Sequence, residues 1–250
     1  MTIKFVRGII GAAAVAVILA PAAAQAQITR VSGSDTRHSF GVNLGGFFPN
    51  TEDSRVADDV LLANRSSLDF TLKDFRRFSV GAEYLYGVTD HIEAGLDVSF
   101  YQRTVPTAFS FFQHEDGRLI EQELKLRITP ITASVRFLPT GRNATVQPYI
   151  GIGAGFLNWR YSEIGEFIDF SEEEPIIFDN FSDPFVASGT KIAPVVIGGL
   201  RFLGADIWTV GGEVRWQKAE GDTGGRAAGF IADKIDLGGW TANFNVHFRF

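Results

Sequence analysis

The stretch WTANFNVHFRF, residues 240–250, decides the fold. Every second residue is apolar: Trp240, Ala242, Phe244, Val246, Phe248 and Phe250. Between them stand Thr241, Asn243, Asn245, His247 and Arg249. Side chains alternate across a β-strand, so a period of two marks a strand with one apolar and one polar face. What the molecule does depends on which face points inward.

The same alternation recurs along the chain and predicts eight strands, at about 38–48, 76–87, 90–102, 122–138, 146–160, 189–203, 206–217 and 237–250. Their connections alternate in length. Short ones fall at 87–90, 139–145 and 204–206, the second of them carrying the turn-forming residues of PTGRNAT. Long ones fall at 49–75, 103–121, 161–188 and 218–236. One short-turn end and one long-loop end is the rhythm of an all-β, transmembrane, eight-stranded antiparallel up-and-down barrel.

Charge placement supports that choice. Trp208, Val210, Gly212, Val214 and Trp216 alternate with Thr209, Gly211, Glu213, Arg215 and Gln217, and Ile92 to Phe100 alternates in the same way with Glu93, Gly95, Asp97 and Ser99. A wholly apolar face with aromatics near its ends suits lipid, and charges mixed with glycines suit a narrow, ion-paired interior. Parity then assigns Glu83, Glu93, Asp97, Lys125, Arg127, Arg136, Arg201, Glu213, Arg215, His247 and Arg249 to the lumen. Of these, Glu83, Glu93, Arg136, Arg201 and His247 lie at similar depth from the short-turn end and are expected to form a layer of salt bridges across the barrel. Lys125 and Arg127 are placed inside because a charge at the bilayer midplane costs roughly 2–4 kcal/mol. In LKLRITPITASVRF (124–137) the apolar residues change parity, which predicts a β-bulge at Thr129–Pro130–Ile131. Ala193, Val195, Ile197 and Gly199 form an apolar stripe with inward parity.

The first residues fit a secretory signal: Lys4 and Arg7, the apolar run 9–20, then small residues. Ala24 and Ala26 occupy the −3 and −1 positions of a cleavage site, so the expected division is a removed segment 1–26 and a barrel domain 27–250 beginning at Gln27. Taking the two bases of 1–26 from the formal net charge of −6 leaves −8, which argues against a nucleic-acid partner. There is no cysteine, hence no disulfide framework.

The loop YSEIGEFIDFSEEEPIIFDNFSDPF (161–185) holds eight acids and no base from Tyr161 to Asp183, interleaved with Phe167, Phe170, Phe178 and Phe181. The main reading is a solvated acidic loop; divalent-cation binding is a lesser one, since no EF-hand order is present. His114, beside Glu115 and Asp116, lacks a nucleophile or HExxH spacing, so no catalytic residues, metal or cofactor are expected.

Together the signal pattern, the alternating strands, QPYIGIGAG (147–155) and the terminal Phe250 resemble the small Gram-negative outer-membrane barrels of the OmpA, OmpX and OmpW type. The resemblance implies an outer-membrane location, both termini in the periplasm, and long loops outside the cell in contact with lipopolysaccharide or an extracellular ligand. It also implies that the last strand, with Phe248 and Phe250, is recognised by the barrel-assembly machinery. The expected role is structural or surface-interacting. The alternative is a narrow porin-like passage for small or apolar solutes along the Ala193–Gly199 stripe, as the OmpW likeness implies.

Overall fold

The computed structural model describes residues 36–169, 175–205 and 207–250. The expected cleavage site at Ala24, Ala26 and Gln27 lies outside these residues, as do Phe170, Glu172, Glu173 and Glu174 of the acidic loop. Eight strands form the wall: β1 His38–Pro49, β2 Arg77–Gly87, β3 Ile92–Gln113, β4 Leu119–Phe137, β5 Val146–Asp169, β6 Phe185–Ala205, β7 Trp208–Gln217 and β8 Gly239–Arg249. Each pairs antiparallel with the next, and β8 pairs with β1 from Arg249↔Ser39 to Gly239↔Pro49, closing the barrel. Among the described residues no helix is long and apolar enough to cross a membrane, which says nothing about crossing by strands.

The strands are of two lengths. β1, β2, β7 and β8 have 12, 11, 10 and 11 residues, close to the ~9–11 that span a bilayer. β3 to β6 have 22, 19, 24 and 21, and rise as a half-pipe well beyond their neighbours. The expected loop 103–121 is therefore mostly strand, ending in a tight turn at His114–Arg118. The loop at 161–188 begins as β5 and folds back through the short strand Ile176–Asp179.

Inner and outer faces exchange character along the long strands. Near the short-turn end the outer face is apolar: Val98, Phe100, Ile131, Val135, Ile150, Ile152 and Phe156 are all exposed. Tyr84, Tyr86, Phe137, Trp208, Phe248 and Phe250 ring its lower edge, where His38 stacks on Phe250 with centroids 5.8 Å apart. Toward the long-loop end the inner face becomes apolar. Tyr101, Val105, Leu124, Leu126, Ile128, Leu157, Trp159 and Tyr161 bury themselves against Val60, Leu61, Phe70, Phe75, Phe230, Ile235 and Leu237 from the two long connections. The lower half is built like a membrane barrel and the upper half like a water-soluble one.

Two expectations fail at this exchange. No bulge occurs at Pro130: β4 pairs with β5 without a shift through Thr129↔Asn158, Pro130↔Leu157 and Ile131↔Phe156. On the β3 side the ladder lapses between Val98↔Ile131 and Tyr101↔Ile128, and the register is the same on both sides of the gap. Parity is constant, so Leu124, Leu126 and Ile128 point inward with Thr132, Ser134 and Arg136, and only the chemistry of each face changes. As a result Lys125 and Arg127 lie on the outer face, not in the lumen. They escape the midplane penalty because they stand above the apolar belt.

Candidate functional site

The lumen of the lower half is the chemically dense part of the molecule. β-alternation directs Glu83, Glu93, Asp97, Arg136, Arg201, Glu213, Arg215, His247 and Arg249 into it, and all are buried. Glycines on the same face make the room. A Cβ on Gly41 would lie 2.2 Å from the His247 ring, and one on Gly199 would lie 2.4 Å from the Tyr149 ring. The small residue on one strand is what admits the large one opposite.

The charges sort into two layers. In the one nearer the short turns, Glu93 accepts from Arg142 at 3.1 Å and from Arg201 at 2.6 Å. In the next, Arg136 binds both Glu83 and Glu213, the latter at 2.9 Å. Arg215 reaches Glu83 at 3.0 Å and Asp97 at 2.5 Å, and also binds Glu213. His247 Nε2 lies 2.9 Å from Glu83, Asn43 donates to Asp97 at 2.8 Å, and the Tyr149 hydroxyl donates to Glu213 at 2.9 Å. The Tyr149 ring joins the layers, with Arg136 and Arg201 standing 5.0 and 4.9 Å from its centroid. Four carboxylates meet four guanidinium groups, so the network is neutral without a charge on His247.

Arg249 donates to Asn143 of the β4–β5 turn at 2.8 Å. Sequence parity misses Arg142, which sits in that turn and folds into the lumen; its place in PTGRNAT gives no signal of this. It also passes over Tyr149 and Asn43, although both have inward parity. The apolar stripe of β6 is inside as its parity requires, but Val195 and Ile197 are occupied in a small cluster with Leu138 and Tyr149.

Above the charges sits the apolar stopper. A cavity of about 30 Å³ is left between the two, bordered by Phe47, Tyr101 and Ile128 above and by Thr132 and Arg215 below. The stopper is tied down by a carboxylate clasp between the long connections. Asp59 takes two bonds from Arg55, both 2.9 Å, caps the helix α1 (Val60–Asn64) through Leu61 N and Leu62 N, and accepts from Asp236 N at 2.6 Å. One buried carboxylate lies within the stopper. Glu163 accepts from Asn64 at 2.6 Å and from the Tyr161 hydroxyl at 2.8 Å; burial pushes its pKa up, and these two bonds only partly offset that.

At the outer tip His114 Nε2 lies 3.0 Å from Glu166 of β5, while its sequence neighbour Asp116 pairs with Arg118 at 2.7 Å. The His114 hydrogen bond lowers the Glu166 pKa. The His-acid cluster visible in the sequence thus turns to separate partners, His114 to β5 and Asp116 to its own turn. Among the described residues no group of His, Cys, Asp or Glu is arranged to hold a metal ion.

No protein-family model and no curated protein matches the chain. Among solved structures it is similar to the outer membrane protein OprG of Pseudomonas aeruginosa, at 14% identity over 86% of this chain and 96% of that one, with a TM-score of 0.48. Neisserial surface protein A is similar at 11% identity over 86% and 97%, TM-score 0.48. Outer membrane protein W of E. coli is similar at 16% identity over 87% and 100%, TM-score 0.42. Its own strand order and closure give the chain the architecture of a small, closed, eight-stranded antiparallel barrel with an apolar outer belt.

Proposed function

We propose that the protein is an outer-membrane barrel with a sealed lumen, exported by removal of 1–26, that holds a rigid acidic platform above the membrane for contact with lipopolysaccharide or an extracellular partner. The observation that carries this reading is the exchange of faces near Pro130. Below it, exposed apolar side chains surround buried charges; above it, Leu124, Leu126, Leu157 and Trp159 are buried on the inner face while Glu121, Glu123 and Arg160 are exposed on the outer one. A chain dissolved in water gains nothing from the lower arrangement, and a chain wholly within lipid gains nothing from the upper. The last strand, ending in Phe248 and Phe250, is its signal to the barrel-assembly machinery.

Sealing follows from the filling. A cavity of about 30 Å³ holds roughly two waters, and it lies between ion pairs on one side and aromatic side chains on the other. Planar-bilayer recording of the full chain tests this, and the expected outcome is a barrel that inserts without conductance steps. Reproducible single-channel steps, abolished by Gly199→Trp or Gly153→Trp, would replace this reading with the narrow-passage alternative.

A further inference from the structure

Just above the apolar belt, the outer wall carries three bases with no carboxylate partner. Arg127 of β4 stands directly opposite Arg160 of β5, and Lys125 stands opposite Ser162. Like charges placed directly across a ladder destabilise it. Yet among the described residues none of the three side chains makes a hydrogen bond or ion pair, and the Arg127 Nε is buried without a partner. The first acids farther along this face of β4 are Glu123 and Glu121, beyond Lys125 and away from the belt. The three bases, with Gln102, Ser162 and Pro184, line a concavity of about 290 Å³ that opens sideways from the barrel wall.

Register fixes its height. The row Gln102–Arg127–Arg160 lies two outward-facing rows above the fully apolar row Val98–Ile131–Phe156. Four residues of strand rise about 13 Å, or roughly 10 Å along the membrane normal at the usual barrel tilt. The hydrocarbon gives way to headgroups over just such a distance.

We propose that this concavity is a binding site for the phosphate of a lipid headgroup, held between Arg127 and Arg160 with Lys125 as a third positive charge. The anion removes the repulsion that the protein leaves uncompensated, and the fork geometry of two guanidinium groups suits a phosphate. The proposal rests on the reading of the apolar belt as membrane-spanning.

The test uses the full chain in phosphatidylcholine nanodiscs doped with phosphatidic acid, with retained lipid counted by native mass spectrometry. Wild type should keep one phosphatidic acid through delipidation. R127Q/R160Q should lower that retention by at least about tenfold, while K218Q, at an exposed base elsewhere, leaves it unchanged. Excess inorganic phosphate should not displace the lipid. Equal retention by R127Q/R160Q, when the variant inserts normally, would overturn the proposal; so would full displacement by inorganic phosphate, which would make this a free-anion site. Failure of the wild type itself to insert would instead strike the membrane reading. Should R127Q/R160Q fail to fold, K125Q alone, expected to weaken retention severalfold, decides the matter, and unchanged retention in it would overturn the proposal.

Discussion

Arg136 has no exposed surface, and its guanidinium binds two carboxylates, Glu83 and Glu213. Replacing it with methionine would leave both anions buried with one guanidinium, Arg215, shared between them, and breaking a buried pair in this way costs about 3–5 kcal/mol. Arg136→Met should therefore lower the urea midpoint of the barrel in lipid vesicles sharply, and Arg136→Met with Glu83→Gln and Glu213→Gln should recover much of the loss. Glu163 is the opposite case, a carboxyl whose partners are all neutral. Its acidity in the folded protein is weaker than the ordinary 4.5, so the folded state binds more protons than the unfolded one above that pH. The contribution of Glu163 to stability is then fully present below pH 4.5 and is lost as pH rises through the raised value. Glu163→Gln should raise the melting temperature at neutral pH and flatten that decline, as followed by circular dichroism from acid to neutral pH. At this scale the sequence was legible wherever strand parity decides, as for Glu83 or Arg215. It was not legible for Arg142, whose turn has no parity, nor for Lys125 and Arg127, whose parity was right only relative to neighbours on the wrong side of an exchange.

The eight strands read from alternation stand within a few residues of those observed at the short-turn end, because one apolar and one polar face persist through the belt. The long strands outran the expectation. Beyond Phe100 and Phe156 the apolar residues move to the inner face, so a scan for a constant greasy side mistakes continuing strand for loop or for a bulge. Pro130 marks where the chemistry turns over, and its missing donor falls where the β3 ladder lapses anyway. In the connections, Asp59 gathers several bonds at one carboxylate. Asp59 caps α1, pairs with Arg55 and receives Asp236 N, all without exposure of its side chain. Asp59→Ala should cost about 3–5 kcal/mol of local stability and release residues 50–76 to hydrogen exchange, with strands β1 and β2 still protected.

Taken whole, the molecule is a closed barrel with charges inside, from which four of its strands rise as a half-pipe of opposite polarity. The belt can be probed directly: Ile152, 70% exposed, faces outward in its middle. Ile152→Arg should cost roughly 2–4 kcal/mol and lower the yield of inserted barrel in vesicles, whereas the same change at Asn158 should be tolerated. A comparable penalty at both positions would mean that no lipid boundary lies between them. Fold class was legible from periodicity and connection rhythm because closure demands both. The stopper was not, because its apolar residues are contributed by segments far apart in the chain and by loops without a repeating pattern.

The clasp at Asp59 and Asp236 has a consequence for the closure of the wall. The segments it joins leave the end of β1 and enter the start of β8, the two strands whose eleven paired positions make the seam. Hence the clasp also holds the two strands of the seam together at their upper end. A chain without it would carry a soft, protease-accessible top over a wall still hydrogen-bonded.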